Sequence, residues 1–172
     1  MAAWAEVIHT QRCVLQPLRI ADAAEMVAVL ADPSLYGFIG GDPPSLADLQ
    51  RRYSAMVVGH SPDRTQTWLN WIVRLRGAVP SAVGTVQATL TGGGRNAEVA
   101  WVIGAGHQHC GYGSEAARAM VGTLIGAGVT RVTAHVNPDH TASAGVARSC
   151  GLVPTGQLHE GEDRWEWVSK LQ

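Results

Sequence analysis

The chain has 172 residues, 46% hydrophobic and 16% charged, and Lys+Arg 13 against Asp+Glu 14 leaves a formal net charge of −1. So apolar a composition excludes an intrinsically disordered chain, which needs the opposite balance. Near-neutrality excludes strong non-specific attraction to nucleic acid or an anionic membrane surface.

In chain order, Cys13–Leu18 reads as the first strand. Asp22 is expected to cap a helix, with Glu25 as its capping-box partner and Met26, Val27 and Leu30 as its buried stripe. Residues 31–45 (ADPSLYGFIGGDPPS), rich in proline and glycine, read as a loop. Ser45 followed by Asp48 is a second cap. Leu46, Leu49, Tyr53, Met56 and Val57 then form the apolar stripe of a second helix.

Thr67–Arg76 and Ala82–Leu90 are strands joined by a hairpin turn over GAVPS. Trp68 and Trp71, three apart, face opposite sides, so one of them belongs to the core. TGGGRN leads to a strand at Ala97–Ile103. A helix at Gly113–Ala127, a strand at Arg131–Val136 and a helix at Thr141–Cys150 follow, the last stopped by Gly151. Thr155–His159 and Arg164–Ser169 form a closing hairpin, with Trp165 and Trp167 on one face. That face is either core or the contact of a homodimer. The order β-α-α-β-β-β-α-β-α-β-β defines a mixed α/β (α+β) fold, and the length suits a single domain spanning 1–172.

No run reaches the ~18 consecutive apolar residues of a membrane helix. The N-terminal MAAWAEVIHTQR lacks a basic stretch followed by an apolar one, so no secretory signal is expected. Cys13, Cys110 and Cys150 are odd in number and widely spaced, which fits reduced thiols in a cytoplasmic protein. The unusual count is 20 glycines, since glycine serves turns and close backbone approach.

Two of them lie in Gln108-His109-Cys110-Gly111-Tyr112-Gly113, between a strand and a helix. A glycine loop entering a helix N-terminus offers amide N–H groups to phosphate, although an ordinary turn has the same look. Gly111-x-Gly113-x-x-Ala116 also fits a dinucleotide fingerprint. That motif needs a strand running straight into the first glycine and an acid ~20 residues on. Residues 104–110 intervene and Thr130–Val136 holds no acid, so this reading is disfavoured. His107, His109 and Cys110 invite a metal, but without three or four ligands at a recognisable spacing no metal is expected.

Gln108-x-x-Gly111-x-Gly113 resembles the acetyl-CoA loop of the GCN5-related N-acetyltransferase (GNAT) superfamily. EVAWVI (98–103), GSEAARAM (113–120), HVNPDHTASAGVARSCGL (135–152) and VLQPLRIADAAEM (14–26) extend the likeness to the branch containing ribosomal-protein N-terminal acetyltransferases. The resemblance implies one mixed, mostly antiparallel sheet, splayed at the fourth predicted strand and flanked by helices. It also implies transfer from acetyl-CoA to a primary amine, a small molecule or a protein N-terminus, by direct attack on the thioester. A GNAT-fold module that binds acyl-CoA without turnover is the alternative.

Residue by residue, the resemblance places the pyrophosphate against Gln108 and the amides of His109, Cys110, Gly111, Tyr112, Gly113 and Ser114. Pantetheine pairs with the backbone of Trp101, Val102 and Ile103, and Gly104–Gly106 gives flexibility where the strand splays. Glu98 becomes the general base, through water, and Ser143 the proton donor to the leaving thiolate. The bland readings are a strand carboxylate that orients its neighbours and a helix serine bonded to its own backbone. His140 stands where the family has asparagine, with Asn137 as its substitute for contacting the cofactor. Ala147 replaces the tyrosine acid of other branches, and His140 is an alternative acid–base group.

Tyr112 reads as packing and Glu115 as a carboxylate that complements the helix dipole. The Tyr36-Gly37-Phe38 loop and the helix from Ser45 are expected to shape the acceptor side, where Asp32, Asp42, Asp48 and Asp63 favour a cationic acceptor.

Overall fold

The computed structural model describes residues 6–170, so the expectation about the first five residues lies outside it. Thirteen elements run in chain order. They begin with β1 (Ile8–His9), β2 (Cys13–Pro17), α1 (Ala23–Val29), α2 (Tyr36–Ile39) and α3 (Leu46–Met56). Next come β3 (Thr67–Leu75), β4 (Ser81–Thr91), β5 (Asn96–Ile103) and α4 (Tyr112–Gly126). β6 (Arg131–Val136), α5 (Thr141–Ser149), β7 (Val153–His159) and β8 (Glu162–Val168) complete the order. The strands form one sheet in the order β1-β2-β3-β4-β5-β6-β8-β7. Its neighbours are antiparallel except β5 and β6. The mixed, mostly antiparallel sheet flanked by helices is the one expected. β1, only two residues long, has no sequence signal and adds an edge through Ile8 opposite Leu15.

Strand alternation assigns the two faces. Leu69, Trp71 and Val73 of β3 join Val99, Val132 and Ala134 in a core closed by Ala116, Met120 and Leu124 of α4 and Ala147 of α5. Trp165 is buried in this core and Trp167 packs against it, so the tryptophan face of β8 is core. Ile72 points to the other face, where Ala23 and Met26 of α1 and Leu49 and Tyr53 of α3 cover it. Trp71 is therefore the core tryptophan, while Trp68 is half-buried and donates Nε1–H to Gln66 Oε1 at 3.1 Å.

Local signals held where the partners are local. The Ser45 hydroxyl accepts from Asp48 N and the Asp48 carboxylate accepts from Ser45 N, the expected capping box of α3. Leu46 and Val57, at the two ends of that helix, are exposed and leave the expected stripe. The 31–45 loop contains a 3-10 turn at Pro33–Leu35 and the short α2.

The box expected at Asp22 and Glu25 is absent. Asp22 itself has helical φ/ψ and accepts from Arg19 N at 2.8 Å, so the cap lies three residues earlier. Glu25 is drawn away by the sheet: one carboxylate oxygen accepts from Ala82 N at 2.7 Å and the other from Arg74 Nη1. Arg74 Nη2 also donates to Asp22 Oδ1 at 2.9 Å. This cluster clamps α1 to β3 and β4 beneath buried Met26. Among the described residues no helix is long and apolar enough to cross a membrane.

Removing the shared cation leaves buried Asp22 with only the Arg19 amide and the exposed Arg19 guanidinium at 3.7 Å, a loss that costs up to about 3–5 kcal/mol. Arg74→Met should lower the urea unfolding free energy by that order, and a loss under about 1 kcal/mol would show the clamp is not structural. Burial pushes the Glu25 carboxyl up, but the Ala82 amide and Arg74 outweigh it and hold the carboxyl below its ordinary value. Its stabilisation is thus complete above the unfolded value of about 4.3 and is lost as pH falls through the lower folded value. Glu25→Gln should flatten the acid limb of the stability–pH curve; an unchanged slope would exclude this contribution.

Candidate active site

The site follows from a failure of strand pairing. β5 and β6 pair only from Asn96–Arg131 to Glu98–Thr133. Beyond that point β5 stays with β4 as far as Ile103–Gly84, and β6 stays with β8 as far as Val136–Asp163. The facing edges of residues 99–103 and 134–136 therefore part, leaving backbone donors and acceptors outside the sheet ladder. This is the splay expected at this strand. Gly104, read as a source of flexibility, has a different role: a Cβ there would meet Val29 Cγ1 at 2.8 Å and Val29 O at 2.9 Å. Its lack of a side chain lets the end of α1 close on the end of β5.

At the mouth of the splay Gln108 Nε2 donates to Ile103 O at 3.0 Å, turning the chain toward α4. Gly111 is the N-cap of α4 in the left-handed region (φ +83°), with no side-chain cap. The first-turn amides, without an intrahelical or capping acceptor, face outward at the positive end of a 15-residue helix. A Cβ at Gly113 would lie 3.3 Å from Ile103 Cγ1 and 3.5 Å from Val146 Cγ2, so glycine lets the helix start abut β5 and α5. A bare helix start of this kind fits a phosphate group.

The loop is tethered from the far end of the chain. Arg12 Nη1 donates to Cys110 O at 2.9 Å, Arg12 Nε to Glu115 Oε2 at 2.7 Å, and its guanidinium lies 4.7 Å over the Tyr112 ring. Glu115 Oε1 also accepts from Arg12 N at 2.7 Å and Thr10 Oγ1 at 2.6 Å. Burial raises the Glu115 carboxyl, but these hydrogen bonds and the Arg12 charge hold it below its usual value. Glu115 therefore anchors the loop to the β1–β2 turn, beyond the dipole role read for it. Tyr112 packs against the core as expected. Arg12 had no signal of its own, because its partners lie some hundred residues away in sequence.

A cavity of about 350 Å³ runs from this loop to α5. Trp101, Val102 and Ile103 form its floor. Gln108, His109, Gly111, Tyr112, Gly113 and Ser114 form one end, and His140 and Ser143 stand opposite. Trp101 Nε1 donates to Ser143 Oγ at 3.0 Å, which leaves the serine O–H free to donate in turn. The His140 ring stacks on Phe38 at 4.2 Å and 7°, and burial holds its imidazole below the usual value. Phe38, with Leu35 and Ile39, walls the cavity from the segment expected to shape the acceptor side.

Three expected residues stand apart from this cavity. Cys110 is exposed, its thiol donating to Gln108 O at 3.4 Å and its carbonyl accepting from Arg12. The Asn137 side chain is held in a local turn, accepting from Asp139 N at 2.9 Å. Glu98 points to the opposite face of β5 from Val99 and Trp101, with its side chain 63% exposed and Oε1 3.9 Å from His135 Nδ1. It lines a second, polar cavity of about 460 Å³ over the segment where β5 and β6 are still paired. His135, which sequence reasoning missed, sits two residues beyond Thr133 on the same face. Among the described residues no three His, Cys, Asp or Glu side chains converge as a metal site.

A sheet that opens between its one parallel pair, beside an uncapped helix start, defines an acyltransferase-type fold. Residues 12–153 match the acetyltransferase (GNAT) domain family, and the chain belongs to it. RimJ of Mycobacterium smegmatis, in complex with CoA-disulfide, superposes with a TM-score of 0.81 at 18% identity, covering 97% of this chain and 89% of that one. RimL, the ribosomal L7/L12 alpha-N-protein acetyltransferase in complex with coenzyme A, gives 0.79 at 14% identity, covering 95% and 98%. A GNAT-family acetyltransferase from Bacillus anthracis gives 0.75 at 20% identity, covering 94% and 96%. At these identities the likeness is one of fold. No curated protein matches the chain.

If Arg12 holds the loop, Arg12→Ala should speed amide hydrogen exchange in the first turn of α4 by at least about tenfold without loss of global stability. Unchanged protection there would show that the loop is rigid without its tether.

Proposed function

We propose that the chain is a single-domain, acetyl-CoA-dependent N-acetyltransferase acting on a primary amine. The observation that carries this reading is the slot between β5 and β6, which ends at the open N-terminus of α4 on one side and at Ser143 on the other. Gln108 and the amides of His109 to Ser114 would hold the pyrophosphate, and the unpaired β5 backbone at Trp101–Ile103 the pantetheine. Acetyl-CoA supplies an activated acyl group whose sulfur leaves as thiolate. His140, stacked on Phe38, would pack beside it, while the locally bonded Asn137 is the weakest of the expected contacts.

Alignment does much of the work in such a transfer, because holding the amine beside the thioester removes the entropic cost of a bimolecular encounter. At neutral pH most of a primary amine is protonated, so an acceptor is needed. Glu98, open to solvent on the face of β5 away from the core, is assigned as the base that takes this proton through water. The free amine attacks the thioester carbonyl, the C–S bond breaks, the Ser143 hydroxyl is assigned to protonate the leaving sulfur, and the proton shed by the acylated nitrogen restores the serine through water. Its bond from Trp101 favours this, since the accepted hydrogen bond orients its own O–H outward. RimL is named for acetylating a protein α-amine; a protein N-terminus or a small amine is the acceptor class proposed here.

Incubation with acetyl-CoA and a panel of amines should release free thiol. Acetyl-CoA binding with no release across the panel would favour a non-catalytic acyl-CoA module. Glu98→Gln should lower kcat at neutral pH by about 10²–10⁴-fold with acetyl-CoA affinity unchanged, and wild-type turnover would remove Glu98 from the mechanism. Gly111→Val should abolish CoA binding while the domain stays folded, because a β-branched residue disfavours the left-handed cap. Retained affinity would overturn the loop assignment.

A further inference from the structure

The polar cavity beside Glu98 has a charge character that the 350 Å³ slot lacks. It is lined by Thr89, Asn96, Glu98, Arg131, Thr133 and Arg164, contributed by four neighbouring strands of the open sheet face. Two guanidiniums thus face one carboxylate. Glu166, the nearest further acid, is shared between them: its Oε2 accepts from Arg164 Nη2 at 2.9 Å, and its Oε1 stands 4.0 Å from Arg131 Nε. The second separation is too long for a hydrogen bond. Arg164 Nε is buried and has no hydrogen-bond partner among the described residues. Both arginine side chains keep exposed donors, 50% for Arg131 and 32% for Arg164, and an anion entering the cavity can pair with these.

The acids expected to favour a cationic acceptor are committed elsewhere. Asp32 accepts from Ser34 N, Asp48 from Ser45 and Arg51, and Asp63 from Ser61 and Thr65. None of these, nor Asp42, lines the cavity.

We propose that the acceptor is an amine carrying an anionic group, carboxylate or phosphate, which Arg131 and Arg164 bind while the amine lies at Glu98. The assignment rests on the proposed function, because Glu98 marks where the reacting nitrogen sits. Arg131 is opposite Asn96 in the β5–β6 register, and Glu98 lies two residues further along, about 6.6 Å. Arg164, on β8, stands opposite His135, two residues past the Glu98–Thr133 pair on the side away from Arg131, and the two guanidiniums converge from either side on Glu166, opposite Thr133. Amine and anion are therefore several bonds apart, as in a peptide with an acidic residue after its N-terminus, an ω-amino acid or an amino-sugar phosphate. Polyamines and other polycations are disfavoured at this wall by like-charge repulsion.

The test is calorimetric binding to the full chain saturated with CoA, so that it does not depend on turnover. The anionic probes are a Ser-Asp-Asp peptide with a free N-terminus, γ-aminobutyrate and glucosamine 6-phosphate; a Ser-Lys-Lys peptide and spermidine are the cationic controls. At least one anionic probe should bind at least about tenfold more tightly than both controls, and its identity separates the three sources. The double variant Arg131→Gln/Arg164→Gln should weaken that binding at least about tenfold while CoA affinity is kept. Should the double variant not fold, Arg164→Gln alone and a fall in wild-type affinity with rising salt give the same readout. Cationic probes binding as tightly, no anionic probe binding, or an arginine variant with wild-type affinity would each overturn the proposal. Arginine-dependent binding without thiol release from any amine would support it and count against the transferase reading.

Discussion

The whole site depends on a parallel strand pair that stops after three residues. Had β5 and β6 continued side by side, their backbone groups would have been satisfied within the sheet and no slot would exist. They part while each keeps its antiparallel neighbour, β4 for one and β8 for the other, along its full length. Antiparallel pairing is also slightly more stable per residue than parallel pairing, so the parallel seam is where a sheet of this order gives way. The opening leaves hydrogen-bonding groups that an extended ligand can meet.

Two tethers from distant parts of the chain then give the opening a fixed shape. Arg12 and Glu115 hold the helix start against the β1–β2 turn, and the Phe38–His140 stack joins the α2 segment to the start of α5. One fixes the phosphate end and the other the far wall. Neither contributes a strong anion site of its own. A chain of net charge −1 would therefore bind phosphates through amides and a helix end, which carry partial positive charge without any count of basic residues.

Legibility in the sequence tracks the distance between partners. The Ser45–Asp48 cap, the α4 and α5 helices, the hairpins and the Gly111 cap all rest on contacts within a few residues, and each could be read. The same pattern at Asp22 and Glu25 misled, because Arg74, about fifty residues on, competes for both carboxylates and the capping chemistry moves to Arg19. Arg12 was silent for the same reason, and so was the stacking of Phe38 on His140. The resemblance points to Glu98 and Ser143, but not to their lining different cavities on either side of β5. Asn137 is expected as a cofactor contact from its position in the chain, and its side-chain oxygen accepts from Asp139 N in a local turn.

One strand thus borders two cavities, one on each face. Along β5, Val99 and Trp101 turn toward α4 and α5, while Glu98 and Ala100 turn toward the open face. A slip of one residue would exchange the two sets, placing a carboxylate in the core and an indole on the open face, so the burial of Ala97 and Val99 against exposed Glu98 and Ala100 sets the register. Gly84 permits it. A Cβ at that position would stand 2.2 Å from Val102 O and 2.8 Å from Ile103 Cδ1, so only glycine lets the end of β5 lie on β4 in this register. The register that turns Glu98 to the open face is thus selected by the apolar residues of β5 and made possible one strand away, by a residue with no side chain at all.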